Sequence, residues 1–212
     1  GHISPMFYSI LAHRGYFPVA ELATFRRLGT RLQGHPTTAE GLPGVRVASG
    51  SLGQGLSVAV GVAQAKKLAN DNHLVYVLMG DGEQEEGQIW EAAMYAPAKN
   101  VDNIVAIVDY NKKQIDGPTD DVLSLGDLRA KYESFGWKVW ECNGNDMQEL
   151  VDTFNKIREN AHKGQSQILL AHTEMGMGVD FMMGTHKWHG VAPNDEQAAN
   201  ALSQLKETLG DY

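Results

Sequence analysis

GDGEQEEGQIWEAAMYAPAKNVDNIVAIVDYN, Gly80 to Asn111, is the stretch whose reading decides the fold. The run ahead of it, His73 to Met79, carries Val75, Val77 and Leu78 and predicts a short buried strand. Gly80 and Gly82 flank Asp81 in a turn where a bulky residue would block close backbone approach. Glu86 to Ala98 has helical spacing, with Ile89, Ala93 and Ala96 on one side. Ile104 to Val108 predicts a second strand, which delivers Asn111 at its carboxyl end. Ligands of open α/β sheets gather at the carboxyl ends of strands, so Asp81 and Asn111 are expected side by side there. One carboxylate and one amide carbonyl suit a hard cation such as Mg²⁺, which keeps few protein ligands and fills its shell with water and phosphate oxygens. The backbone N–H groups of the same turn attract phosphate. The stretch therefore reads as a metal-diphosphate anchor inside a β-turn-α-β unit.

The rest of the chain fits one soluble domain, or one and a half. Its 212 residues allow an ample core, and 42% hydrophobic with 21% charged residues is ordinary for a globular chain. A net charge of −8 without a Lys/Arg-rich stripe argues against nucleic acid as a partner. The single cysteine, Cys142, excludes an internal disulfide, reads as a buried thiol and fits a reducing cytoplasm. No run approaches the ~18 apolar residues of a membrane span, and no signal peptide is visible. The start, Gly1-His2-Ile3-Ser4-Pro5, lacks an initiator Met and reads like the middle of a protein.

Outward from the anchor, strands and helices alternate. Ser4 to Arg14 predicts a helix that Ser4 can cap, and Val19 to Leu28 a second one. Residues 29–49 form a long loop. Gly50 to Gly55 leads into a helix reaching about Asn70, with small residues at Gly55, Ser57, Ala59 and Gly61. The spacing G-x-x-G-x-G, with no clear strand before it, does not match a dinucleotide fingerprint. Beyond a polar turn at 111–118, Leu128 to Phe135 is a helix closed by Gly136. Trp137 to Cys142 is a strand, and Met147 to His162 a helix with the stripe Leu150, Val151, Phe154 and Ile157. Gln167 to Ala171 is a strand, residues 172–193 a second Gly-rich loop, and Asp195 to Leu209 a last helix. The fold class is α/β: a parallel doubly wound sheet flanked by helices.

Four histidines stand in glycine-flanked loops: His2 in GHISP, His35 in GHPTT, and His186 and His189 in GTHKWHG. A lone loop histidine is most often a surface residue; four in three loops point to a site. His186-x-x-His189 lacks the HExxH helix or cysteine cluster of a zinc site, whereas imidazoles suit a sugar phosphate and its protons. With these loops in place the chain resembles the N-terminal, diphosphate-binding domain of transketolase. The motifs GHISPMFYSILAHRGY, GHPTTAEGLPGVRVASGSLGQGLSVAVGVA, GDGEQEEGQIWEA, DYNKKQIDG and GTHKWHGVAP follow in family order over essentially the whole chain, 1–212. The GSLGQGLSVAVG variant looks most like the split bacterial and archaeal form, whose pyrimidine-binding domain is a separate polypeptide.

That resemblance implies thiamine diphosphate and Mg²⁺, with Ca²⁺ or Mn²⁺ as substitutes. It implies two-carbon ketol transfer from a ketose phosphate to an aldose phosphate, in carbohydrate metabolism of the pentose phosphate type. Asp81 and Asn111 would bind the metal by side chains and Lys113 by its carbonyl. His2, Gly80, Gly82, Asn111 and His186 would belong to the diphosphate site. Gly50, Ser51 and Leu52 would line the aminopyrimidine, Ser51 standing where the family often has proline. His35 would act on the donor hydroxyls, and His186 and Glu86 would join the catalytic set, Glu86 through a carboxylate network linking two active sites. His189 follows the motif with a less defined role. The family's first helices, first strand and one catalytic histidine would lie before residue 1. Expected partners are a second copy of the chain and a pyrimidine-domain subunit, in a cytoplasmic heterotetramer without nucleic acid or membrane. Competing readings are a deoxyxylulose phosphate synthase-like enzyme, a sulfosugar or branched-sugar transketolase, a dehydrogenase subunit, a non-catalytic subunit of the same fold, or a Rossmann oxidoreductase. Loop histidines favour sugar-phosphate chemistry over 2-oxo acid dehydrogenation.

Overall fold

A computed structural model describes residues 1–206, which form two compact units, residues 1–52 and residues 53–206. In the first, helix α1 (Ser4–His13) has Pro5 in its first turn, where a missing N–H costs nothing. Ile3, not Ser4, is the N-cap, and no side chain caps the helix. The Ser4 hydroxyl donates instead to the Gly34 carbonyl at 2.6 Å, a long-range partner that the local cap pattern does not reveal. Tyr8, Leu11 and Ala12 of α1 pack with Phe17, Leu32, Leu42 and Val45. The helix expected over Val19 to Leu28 is a 3₁₀ segment, Val19–Thr24. Arg26 turns to φ 58° and its N–H donates to the Leu32 carbonyl at 2.8 Å, drawing the backbone out of helical geometry.

The second unit is built on a parallel sheet. Its elements are α2 (Gln54–Leu68), β1 (Val75–Gly80), α3 (Gly87–Ala98), β2 (Ile104–Tyr110), β3 (Lys113–Gln114), β4 (Gly117–Pro118), α4 (Thr119–Leu123), α5 (Leu128–Phe135), β5 (Lys138–Asn143), α6 (Met147–Glu159), β6 (Gln167–His172) and α7 (Asp195–Gln204). The large sheet runs β1-β2-β6-β5, and β3 and β4 make a small antiparallel pair inside the expected polar turn. Central β2 and β6 are near-continuous apolar runs because both faces are covered; edge strands β1 and β5 alternate. Ile104, Ala106 and Val108 of β2 meet α2, α3 and α5 on one face, while Val105 and Ile107 turn to the α6 side. The chain steps from β1 to β2 to β5 in one direction and returns to β6. Crossovers of one hand then place α3 and α5 on one face and α6 on the other.

Two further helix expectations need correction. On α6 the stripe includes buried Ile157, but Val151 is exposed and Thr153 is buried, because the helix meets the sheet on a face rotated from the apolar stripe. The last helix is α7, held by an Asn194–Gln197 capping box; residues 207–209 of the expected helix lie outside the described residues. Cys142 is buried, as expected of a structural thiol. Among the described residues no helix is long and apolar enough to cross a membrane.

Candidate active site

Asp81 follows β1 and Asn111 follows β2, and the two strands are paired with Gly80 opposite Asp109. The Asp81 carboxylate is 1% exposed. Its Oδ1 accepts the Gly82 N–H at 2.8 Å and its Oδ2 accepts the N–H of Lys112, the residue after Asn111. The Asn111 Oδ1 accepts the Lys113 N–H at 2.9 Å, an Asx turn that joins two of the expected metal-site residues. Burial pushes the Asp81 carboxyl up to about 6; the two backbone donors oppose this, and the like charge of Asp109 adds to it. An oxygen-only set built on a buried carboxylate, with like charge beside it, fits a hard divalent cation. Among the described residues no group of three or more His, Cys, Asp or Glu is arranged to hold a metal ion.

The turn after β1 is held by residues the sequence did not single out. The Glu83 carboxylate accepts the Gly80 N–H at 3.1 Å and the Gly53 N–H, at the start of α2, at 2.9 Å. Gln84 is fully buried; its Nε2 donates to the Gly80 carbonyl at 3.0 Å and its Oε1 accepts the Tyr132 hydroxyl at 2.6 Å. Both polar groups of Gly80 are therefore clamped by the turn that follows Asp81. The Gly80 and Gly82 N–H groups donate inside the turn, so these two amides are already engaged. The signal for Glu83 was its position three residues after Gly80, the reach-back spacing of a helix start. Its bond to Gly53 had no signal. Glu86 is exposed at the start of α3 and lies against Gly53, where φ is 80° and a Cβ would come within 2.8 Å of Glu86 Cβ. Glu85 beside it has one buried carboxylate oxygen with no hydrogen-bond partner among the described residues, and burial, Glu86 and Asp116 raise its pKa.

The loop after β6 carries His186 and His189, joined by a turn in which the His189 N–H donates to the His186 carbonyl at 2.9 Å. Trp188 between them donates its indole N–H to the Phe181 carbonyl at 2.9 Å and meets the Phe181 ring edge-on at 5.3 Å. At the root of the loop, the Thr173 hydroxyl donates to the Asp109 carboxylate and Glu174 pairs with Lys113 at 2.9 Å. The Lys113 ammonium, then the Gly184 N–H, hold the Glu174 carboxyl below its ordinary value.

The first unit brings together His2, His35 and Gly50. The two imidazoles stack at 5.5 Å. Gly50 has φ 130°, and a Cβ there would run into the His35 ring. The exposed His35 is aimed by α1: Ser4 and Tyr8, one turn apart, donate to the carbonyls of Gly34 and Gln33 at 2.6 and 3.0 Å. His35 Nδ1 also meets the Gly34 carbonyl, at 2.9 Å. A carbonyl only accepts, so Nδ1 carries the hydrogen and, in the neutral ring, Nε2 is the base. Ser51 is exposed and Leu52 half-buried beside Gly50.

Comparison with known proteins is consistent along the chain. Residues 1–210 match the family model described as transketolase, thiamine diphosphate binding domain. A protein of Phocaeicola vulgatus, named as one of the subunits of an apulose-4-phosphate transketolase, is 41% identical over 209 residues, spanning 99% of this chain and 73% of that one. A 6-deoxy-6-sulfo-D-fructose transketolase subunit of a Clostridium species is 37% identical, over 98% of this chain and 74% of that one. Among solved structures, the transketolase of Campylobacter jejuni superposes with a TM-score of 0.87 at 31% identity, over 96% of this chain and 33% of that chain.

Proposed function

The chain belongs to the transketolase family, matching its thiamine diphosphate-binding domain, and on that premise we propose that it is the diphosphate-binding, N-terminal subunit of a split transketolase. It would transfer a two-carbon ketol unit from a ketose phosphate to an aldose phosphate together with a pyrimidine-domain subunit. The observation that carries the reading is the buried Asp81 carboxylate beside Asn111 at the carboxyl ends of paired strands. Asp81, Asn111 and the Lys113 carbonyl would hold Mg²⁺, or Ca²⁺ or Mn²⁺ in its place. Thiamine diphosphate, when bound, supplies the carbon nucleophile of ketol transfer. His2 and His186 are assigned to its diphosphate, with Gly80 and Gly82 allowing close backbone approach rather than donating, and Gly50, Ser51 and Leu52 to its pyrimidine. His35, with its Nδ1 hydrogen bound to Gly34, offers Nε2 to take a proton from a donor hydroxyl. Glu86, exposed at the start of α3, is assigned to a carboxylate network at the subunit contact.

The names of the relatives in Phocaeicola and Clostridium support keeping branched and sulfonated ketoses beside the ordinary pentose phosphates as donors. Exposed Val58 and Val62 on α2, with Met94 and Tyr95 on α3, supply apolar area for an assembly of two such chains with two pyrimidine-domain partners. The two helices are neighbours, Gln64 bonding the Tyr95 hydroxyl at 3.2 Å. We place this assembly in the cytoplasm, which suits the single reduced cysteine. The test is to titrate thiamine diphosphate and Mg²⁺ into the purified chain, then to mix it with its partner and assay ketose-to-aldose transfer. Binding of NAD in place of thiamine diphosphate, or full transfer activity from the chain alone as a monomer, would overturn the proposal.

A further inference from the structure

Two loops of the second unit share a single carboxylate oxygen. Glu174, two residues past the end of β6, accepts on Oε1 both the Lys113 ammonium at 2.9 Å and the Gly184 N–H at 2.8 Å. Lys113 belongs to the turn after β2, and Gly184 lies two residues before His186. The Glu174 backbone is itself fixed, because its N–H donates to Asn145 Oδ1 at 2.7 Å, in the turn after β5. Glu174 thus stands on the carboxyl edge of the sheet, tied to the turns after both neighbouring strands and to the histidine loop. Its side chain is partly exposed, 37%, while that of Lys113 is 15% exposed. The ammonium is therefore the better shielded partner. Solvent around Glu174 screens the pair, so its contribution is modest, within the range of charge-assisted bonds near a surface.

Beyond the Thr173–Asp109 bond at its root, other contacts of the histidine loop are of a different kind. Phe181 and Trp188 hold its tip to itself, and Gln204 of α7 donates to the Asp180 carboxylate at 2.8 Å. These order the loop internally and against α7. The bond from Gly184 to Glu174, and through it to Lys113, joins the loop to the turn that carries Asn111.

We propose that Glu174 is a positioning residue, a latch that fixes the His186–His189 loop to the metal-anchor turn through Lys113. Motion of either loop is then felt by the other, whether or not His186 meets the cofactor. The latch does not depend on the function proposed above, and it can be read without any ligand.

Backbone amide exchange, followed by NMR on the full chain, tests it. In Glu174→Ala the Gly184 amide is expected to exchange about three- to ten-fold faster, while Ile107 and Val108 in β2 hold their protection and report an intact fold. Lys113→Met is expected to speed Gly184 in the same direction. The double variant should match Glu174→Ala, because without the carboxylate Lys113 has nothing left to hold. Glu174→Gln, which keeps an acceptor without the charge, should fall between. Salt of about 0.5 M should speed Gly184 in the parent chain and leave Glu174→Ala unchanged. Unaltered Gly184 exchange in Glu174→Ala, or additive effects in the double variant, would overturn the latch. Titrating the same variants with Mg²⁺ and thiamine diphosphate separates this from the earlier reading. A loosened loop with unchanged cofactor affinity supports the latch and removes His186 from the cofactor site; a loosened loop with weakened affinity supports both.

Discussion

Removing the charge of Asp81 should change how the cation-free chain responds to pH. Asp81 is 1% exposed, so little solvent screening reduces the effect, and its carboxyl stands at about 6 against an ordinary value near 4. The folded chain binds this proton more tightly than the unfolded chain. The group therefore contributes stability that is fully present below about pH 4 and is lost as pH rises through about 6. Relative to about pH 7.5, the gain at about pH 5 is ~1.4 kcal/mol, approaching ~3 kcal/mol below pH 4. For a chain of this size that is a rise in Tm of roughly 3–6 °C at about pH 5. Asp71, Asp102 and Glu174 are shifted downward, so their contributions fade only below the ordinary carboxylate range; Glu85, shifted upward, adds to the response of both proteins and cancels in the comparison with an Asp81 variant. The assay is thermal unfolding in EDTA across the window, with Asp81→Asn as the control that cannot ionise. The difference in Tm between the two proteins should grow in favour of the parent as pH falls. Mg²⁺ added at about pH 7.5 should raise the Tm of the parent and leave Asp81→Asn unmoved, because a divalent ion neutralises the buried charge. A difference between the proteins that is the same at both pH values would refute the assignment of a buried, destabilised carboxylate.

Three further outcomes follow from single contacts. In the assembled enzyme, His35→Ala should lower turnover by about 10²–10⁴-fold and barely move cofactor affinity, as titration alongside steady-state kinetics will show; a large loss of affinity with normal turnover would reverse the role given to this base. Lys112 sits at φ 60° and contributes only its backbone N–H to Asp81, so Lys112→Gly should raise stability by roughly 1 kcal/mol in thermal unfolding. A fall would mean that its ammonium, 5.9 Å over the Tyr110 ring, outweighs the backbone strain. Gly53→Ala places a methyl within 2.8 Å of Glu86 Cβ at φ 80°, and a loss of about 1–3 kcal/mol in denaturant unfolding is expected; an unchanged midpoint would show that Glu86 moves freely aside.

Much of the fold was legible because it rests on local periodicity. The alternation of apolar runs and helical patterns specified a parallel α/β sheet. Leu128–Phe135 was readable to the residue, since Gly136 at φ 98° ends that helix as only glycine does cheaply. Glycines around Asp81 and an asparagine at the end of the next strand marked the turn proposed as the anchor. What periodicity cannot carry is long-range pairing. The insertion of β6 between β2 and β5 depends on contacts between segments far apart in the chain. So do the burial that raises Asp81, the Glu83 bridge to Gly53 and the Glu174 bond to Lys113. In each case the partner is a backbone group or a charge whose place is defined only once the sheet has formed, and a backbone amide or carbonyl carries no residue identity for a sequence to display. The residue types of the candidate site can therefore be proposed from the chain, while their protonation, aim and mutual restraint are decided by tertiary structure.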